Sequence, residues 1–222
     1  MFSALMQVAL FQSLDLNELQ ALMRCMNPTI RQFGRGDYLF HAGDPAGSLT
    51  ILLEGSVHVL HEDYWGNRTI VARLAAGELF GEAFSYAQVE HIPVSVQAAE
   101  PTHAAYFDIQ RLGTTCSNAC PHHSRIIHNL LHALAEKAVM LTEKNEIISQ
   151  RTTREKVMAY LSAYAHEQQT EDFTIPFSRQ ELAEYLAVDR SNLSRELSRM
   201  QQEGILLYTG NTFHLVRKTS SG

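Results

Sequence analysis

Ser178-Arg179-Gln180-Glu181, followed a short way on by Asp189-Arg190-Ser191-Asn192-Leu193-Ser194-Arg195, is the stretch from which the rest of the chain can be read. The first four residues form a capping box: the serine hydroxyl accepts from the backbone N–H of Glu181, whose carboxylate reaches back to the cap. The helix they start runs through Leu182, Ala183 and Leu186. A tight turn at Ala187-Val188 follows, and Asp189 is placed to cap a second helix over 190–202, ended by Gly204. Two short helices, with small Ala183 where they must pass closely, predict a helix-turn-helix. Beyond it, 205–208 and 212–216 flank the turn Thr209-Gly210-Asn211 and read as a hairpin, or wing.

In the second helix Leu193 and Leu197 face inward at i, i+4, which leaves Arg190, Ser191, Ser194 and Arg195 on the outer face near the N-terminus. A recognition helix presents its side chains to base edges in the major groove from that position. Arg195 can donate two hydrogen bonds to guanine O6 and N7. Ser191 and Ser194 suit bases or phosphates, Asn192 has a less favourable angle, and Arg190 suits a base edge or a phosphate. Arg179, at the start of the first helix, is placed to meet the DNA backbone. An ordinary amphipathic helix with solvated Arg and Ser would look similar alone. The succession of capping box, turn, second cap and wing argues for a DNA-reading head.

Upstream, 124–150 reads as a long helix without Pro or Gly. Ile127, Leu131, Leu134, Ala138, Leu141, Asn145 and Ile148 alternate steps of 4 and 3, an unbroken a/d seam. A strict 3.5-residue repeat favours a helix that meets its own copy, and a seam asparagine pairs with its symmetry mate in a parallel, in-register dimer. The other reading is a helix buried against the preceding domain, with Asn145 at its wet end. After a hinge near 150–153 come a helix over 154–166 and a short strand over 173–177.

From about 30 to 108 the chain shows short β-type runs (49–53, 57–60, 69–74, 94–98, 103–107) punctuated by glycine. This suggests a sandwich or small barrel. Residues 14–26 read as an amphipathic helix that Ser13 or Asp15 can cap, and Met1 to Leu10 as a further amphipathic helix without the marks of a signal peptide. The predicted fold class is α+β: a double-stranded β-helix, or jelly-roll, sensor barrel over 1–123, a dimerisation helix over 124–150, and a winged helix-turn-helix over 151–222.

The net charge of −6 gives no hint of a nucleic-acid partner, but residues 1–120 carry all of it and 121–222 balance to zero. The arginines of the second half can therefore still gather on one face. No apolar run is long enough to span a membrane, and three cysteines fit a reducing cytoplasm.

Phe33-Gly34-Arg35-Gly36-Asp37, Gly43-Asp44, Leu53-Glu54-Gly55, Gly77-Glu78-Leu79-Phe80-Gly81-Glu82, Arg154-Glu155-Lys156-Val157 and the run from Arg179 to Arg199 together resemble the Crp/Fnr family, whose catabolite activator is a standard illustration of helix-turn-helix docking. The resemblance covers nearly the whole chain. It implies a homodimer whose barrel receives a small-molecule, metal or redox signal, binding a pseudo-palindromic double-stranded operator and, if an activator, contacting RNA polymerase. In cyclic-nucleotide-binding relatives the segment matching Phe80, Gly81 and Glu82 holds phosphate and ribose, and the pair matching Leu141-Thr142 reaches the base. Those relatives also carry an Arg-Ser pair about ten residues past the glutamate, where this chain has Ile92-Pro93, and no arginine occurs between Arg73 and Arg111. A buried phosphate would lack its cation, so cAMP is not the expected effector.

The iron–sulfur branch of the family needs an N-terminal cysteine group, of which only Cys25 is present. Cys116, Cys120, His122 and His123 form a different cluster, suited to a metal or to thiol redox chemistry, although buried cysteines that merely pack are the alternative. With 11 histidines, haem is a further option, so the cofactor stays unknown. The competing class is a metal-binding cupin-type barrel or enzyme. His58 and His61, however, fall on opposite faces of their strand, and no nucleophile elbow, Walker loop or H-E-x-x-H motif occurs. No enzymatic activity is expected.

Overall fold

The computed structural model describes residues 5–12, 14–108 and 121–216. Eight strands precede the long helix: β1 (Thr29–Phe33), β2 (Tyr38–Phe40), β3 (Ser48–Glu54), β4 (Ser56–Glu62), β5 (Arg68–Ala75), β6 (Leu79–Phe80), β7 (Ser95–Ala98) and β8 (Thr102–Asp108). They form two four-stranded sheets, ordered β1-β8-β3-β6 and β2-β7-β4-β5. Sequence neighbours fall in opposite sheets except β4 and β5, which lie side by side in the second, an arrangement that suits a jelly-roll. Phe40 of β2 bridges them, its ring 5.3 Å from Phe80 and 5.5 Å from Tyr106 of the facing sheet. The β3–β4 corner depends on Gly55, whose φ of +79° is joined by a close approach: a Cβ there would stand 2.3 Å from the Pro101 carbonyl oxygen.

Helix α1 (Leu16–Met26) covers the outer face of the first sheet and is capped by Asp15, with the reciprocal bond from Glu18. Leu19, Leu22, Met23 and Met26 pack on Leu49, Ile51, Ala105 and Phe107. The expected helix over the first ten residues is not continuous: Ala9–Phe11 is a 3-10 turn. Leu10 and Phe11 are adjacent and both fully buried. One α-helical face cannot take both, and the tighter turn reorients the chain. Three strands were not singled out by the sequence: β2 and β6, which are too brief for a periodic signal, and β1, whose residues are mostly exposed.

Helix α2 (Glu82–Tyr86) follows β6, and helix α3 spans Pro121–Ile148. It begins three residues before the expected Ser124, because proline suits a first helical turn whose N–H groups have no partner anyway. Helix α4 (Thr153–Gln168) starts in a capping box, Thr152 with Glu155. Strand β9 (Asp172–Thr174) is shorter than the expected 173–177, since Pro176 has no N–H to give a ladder, although Ile175 and Phe177 are still buried. Helices α5 (Arg179–Tyr185) and α6 (Arg190–Gln202) and the hairpin β10 (Leu206–Thr209) and β11 (Thr212–Leu215) complete the chain. β9 pairs with β11 to give a three-stranded wing sheet.

By compactness the chain divides into residues 1–67 with 71–139, and 68–70 with 140–222. The division falls inside the unbroken α3, whereas the boundary expected near 150 falls in the break between α3 and α4.

Candidate nucleic-acid interface and sensor turn

The reading head is built by its caps. Ser178 accepts from the Glu181 N–H and Glu181 returns the bond to the Ser178 N–H at 2.7 Å. Ala187 closes the turn with a φ of +50°, the left-handed conformation that lets α6 leave α5 abruptly. Asp189 then accepts from the backbone N–H groups of Ser191 and Asn192 and from the Ser191 hydroxyl. These bonds hold its carboxyl below the usual carboxylate range, with the Asn192 and Ser191 amides and the Arg195 charge adding to the Ser191 hydroxyl. Leu193, Leu197 and Met200 are fully buried.

On the other face of α6, Arg190, Ser191, Asn192 and Arg195 are exposed and Ser194 is half-buried. Arg195 donates weakly to the Ser191 carbonyl at 3.4 Å, which folds it along the helix. Asn192 is committed elsewhere: its amide donates to the Thr153 hydroxyl at 3.0 Å, tying the start of α6 to that of α4. Ser194, Arg195, Ser198, Arg199 and Gln202 line a shallow surface depression. Ser198 and Arg199 were missed from the sequence; continuing the i, i+4 step from Ser194 and Arg195 finds both.

Arg154 fastens the helix from below. It donates to Glu196 at 2.5 Å and as a fork to both oxygens of Glu203 at 2.7 and 2.8 Å. The Glu203 and Glu196 bonds push its guanidinium above its ordinary range. Arg179 is turned towards the wing, where its guanidinium donates to the Gly210 carbonyl at 3.0 Å. It lies 4.9 Å from the Tyr208 ring centre.

In the sensor unit, Phe80-Gly81-Glu82 forms the turn between β6 and α2. Gly81 has φ +90°, and a Cβ there would lie 2.3 Å from the Ser48 carbonyl oxygen, so the position admits glycine only. Glu82 is 2% exposed. One carboxylate oxygen receives the Lys137 ammonium of α3, which also donates to the Leu79 carbonyl. The other, Oε2, has no hydrogen bond. Leu141 and Thr142 stand on α3 in the second unit, both exposed.

One face of α3 is buried through Ile126, Leu130, Lys144 and Ile147. Of the seam, Ile127, Leu131, Ala138, Leu141 and Asn145 are exposed, Ile148 is half-buried, and Leu134 is half-buried and packs against the core of the first unit. Leu131 is 61% exposed and Leu141 46%. Lys144 sits with its ammonium 4.0 Å from the Tyr185 ring centre and donates to the Ile70 carbonyl; burial pulls its pKa down to about 7. Cys116 and Cys120 lie outside the described residues, as do the side chains of His122 and His123. His58 is buried and His61 exposed, on opposite faces of β4.

A jelly-roll domain, a long helix and a winged helix-turn-helix in this order define a class of sensor-linked DNA-binding regulators. Residues 30–118 match the cyclic nucleotide-binding domain and residues 155–218 the Crp-like helix-turn-helix domain. The chain belongs to the Crp/Fnr family of transcription regulators. It is 25% identical to the transcriptional activator protein anr of Pseudomonas aeruginosa, over 84% of this chain and 76% of that protein. It is 24% identical to the CRP-like protein Clp of Xanthomonas campestris, over 78% of each. The solved CLP structure of Xanthomonas campestris superposes with a TM-score of 0.76 at 21% identity, covering 92% of this chain and 100% of that one. FixK2 of Bradyrhizobium japonicum gives 0.66 at 19%, covering 86% and 93%. No helix among the described residues is long and apolar enough to cross a membrane.

Asp189→Ala removes the acceptor that opens α6, so the amides of Ser191 and Asn192 should exchange faster with solvent while those of α4 do not change. Because folding depresses the Asp189 pKa, the cap's contribution is present above the carboxylate's ordinary value of 3.8 and is lost as pH falls through the folded value. A pH series of amide exchange at 191–192 checks the direction.

Proposed function

We propose that the chain is a homodimeric regulator that reads a pseudo-palindromic operator with α6 and takes its signal at the sensor unit from something other than cAMP. The observation that carries the DNA reading is the division of α6: an apolar face sealed into the head, and an arginine- and serine-bearing face left exposed around Arg190, Ser191, Ser194 and Arg195. Arg195 is assigned to a guanine, and Arg190 to a base edge or a phosphate. Asn192 is demoted to tying α6 to α4. Contact with RNA polymerase follows if the protein activates.

The exposed stripe on α3 supports dimerisation. Its apolar side chains have the heptad spacing of a coiled-coil seam, and Asn145 supplies the polar pair that sets register. Sedimentation at micromolar concentration should give a species near twice 25.0 kDa. Asn145→Leu should keep association but admit other registers or oligomers. A chain that stays monomeric under all ligand conditions removes the dimer reading.

For the effector, Lys137 engages only one oxygen of the carboxylate that would meet a ribose hydroxyl, so the case against cAMP rests on the missing arginine. With Ile92-Pro93 where an arginine would neutralise a cyclic phosphate, cAMP and cGMP should bind more weakly than about 10 μM by calorimetry, roughly −7 kcal/mol. Cyclic di-GMP, to which the Xanthomonas campestris regulator responds, belongs in the same titration.

Arg195→Ala should cost about 1–3 kcal/mol of operator affinity and relax preference at one base pair of each half-site, because a bidentate guanine contact is lost. A titration against a selected operator and its single-base variants measures both. Unchanged affinity and preference would remove α6 as the reading helix.

A further inference from the structure

We propose that Arg179 is a wing-positioning residue, which fixes the tip of the β10–β11 hairpin against the first helix of the helix-turn-helix and does not neutralise a DNA phosphate. The guanidinium is engaged on its face and at its edge. Its central carbon lies 4.9 Å from the Tyr208 ring centre and 5.8 Å from that of Phe213, and those two rings stack on each other at 5.8 Å. At its edge Nη2 donates to the Gly210 carbonyl at 3.0 Å. Gly210 has φ +61°, the conformation in which the two-residue turn presents that carbonyl, so the bond reads the wing's tip directly.

The other side of the tip is pinned independently. The Asn211 side-chain amide donates to the Ile175 carbonyl at 3.0 Å, and the Ile175 N–H donates to the Asn211 carbonyl at 2.9 Å. The Thr174 and Thr212 hydroxyls bond at 3.0 Å, and Gln201 of α6 accepts from the Tyr208 N–H at 3.1 Å. The hairpin is therefore held by β9 along β11, by α6 along β10, and by Arg179 of α5 at its tip. The described part of the wing has no lysine or arginine, and its one histidine, His214, bonds Asp172 at 2.8 Å. Its contribution is shape, which a movable tip could not make.

Arginine suits this place because its planar fork stacks on a ring and donates in plane together, whereas a lysine ammonium is a point charge. That difference separates the two roles. A phosphate contact tolerates Arg179→Lys and, on Arg179→Ala, loses about one counterion of salt dependence per subunit. A stacked wing clamp fails with either replacement and leaves the salt slope alone.

The test uses the full chain with Arg179→Lys and Arg179→Ala. In the free protein, amide exchange at Ile175 and across 209–212 should quicken about tenfold or more in both variants, while β3 and β8 stay as protected as before. This arm does not need the DNA reading to hold, so absence of DNA binding by the unmodified protein would count against α6 as reader and leave the clamp decided by exchange. In a salt-series titration against the selected operator, both variants should weaken binding by a similar factor with the wild-type slope. Wild-type wing protection in the Lys variant, wild-type affinity in the Lys variant, or a slope shallower by about one per subunit in the Ala variant would each overturn the proposal. If the Ala variant does not fold, the Lys variant carries both arms.

Discussion

A carboxylate buried to 2% exposure needs a cation beside it, and for Glu82 that cation comes from the long helix. An isolated buried ion costs several kcal/mol, well above the roughly 1 kcal/mol that an exposed pair contributes. The Lys137 ammonium is therefore part of the sensor turn and not an ornament on it. Because it also takes the Leu79 carbonyl, it grips the turn on both sides of Gly81, at a place where the backbone leaves no room for a side chain. Ile126 and Leu130 bury the same face of α3 nearer its start. With one face so committed, the helix has its other face for whatever its heptad stripe meets.

What was legible in the sequence is what is local. The Ser178 box, the Asp189 cap and the Asp15 cap each depend on residues within three positions, and each is formed. Thr152 and Glu155 have the same spacing and form the same reciprocal box. The β-type runs of β3, β4, β5, β7 and β8, set off by glycines, were readable, whereas the mostly exposed β1 and the three- and two-residue β2 and β6 carry no such run.

The illegible part is what joins distant segments. Lys137 and Glu82 are 55 positions apart, and nothing in either neighbourhood announces the other. Arg179 was read from helix geometry alone, and its contacts with the hairpin, whose Gly210 carbonyl lies 31 positions on, could not be seen there. Asn192 looked like a marginal base reader and is held by Thr153, 39 positions back. A helical wheel gives the direction in which a side chain leaves its helix, and says nothing of what waits there.

This sorting of polar residues also explains how a half-chain with no net charge can offer a basic face. Arg154 is neutralised where it sits, by Glu196 and both oxygens of Glu203. Those two carboxylates count against the arginines in any sum over sequence, yet they are spent on the helix's inner end and flank. Arg190 and Arg195 stay exposed in the N-terminal half of α6. Arg199 keeps only a 3.5 Å contact to Glu196, which Arg154 already holds more closely. The acidic residues thus stiffen the head from behind while the cations in front remain exposed. Sequence charge is a poor guide to such a surface because the fold, not the composition, decides which charges cancel.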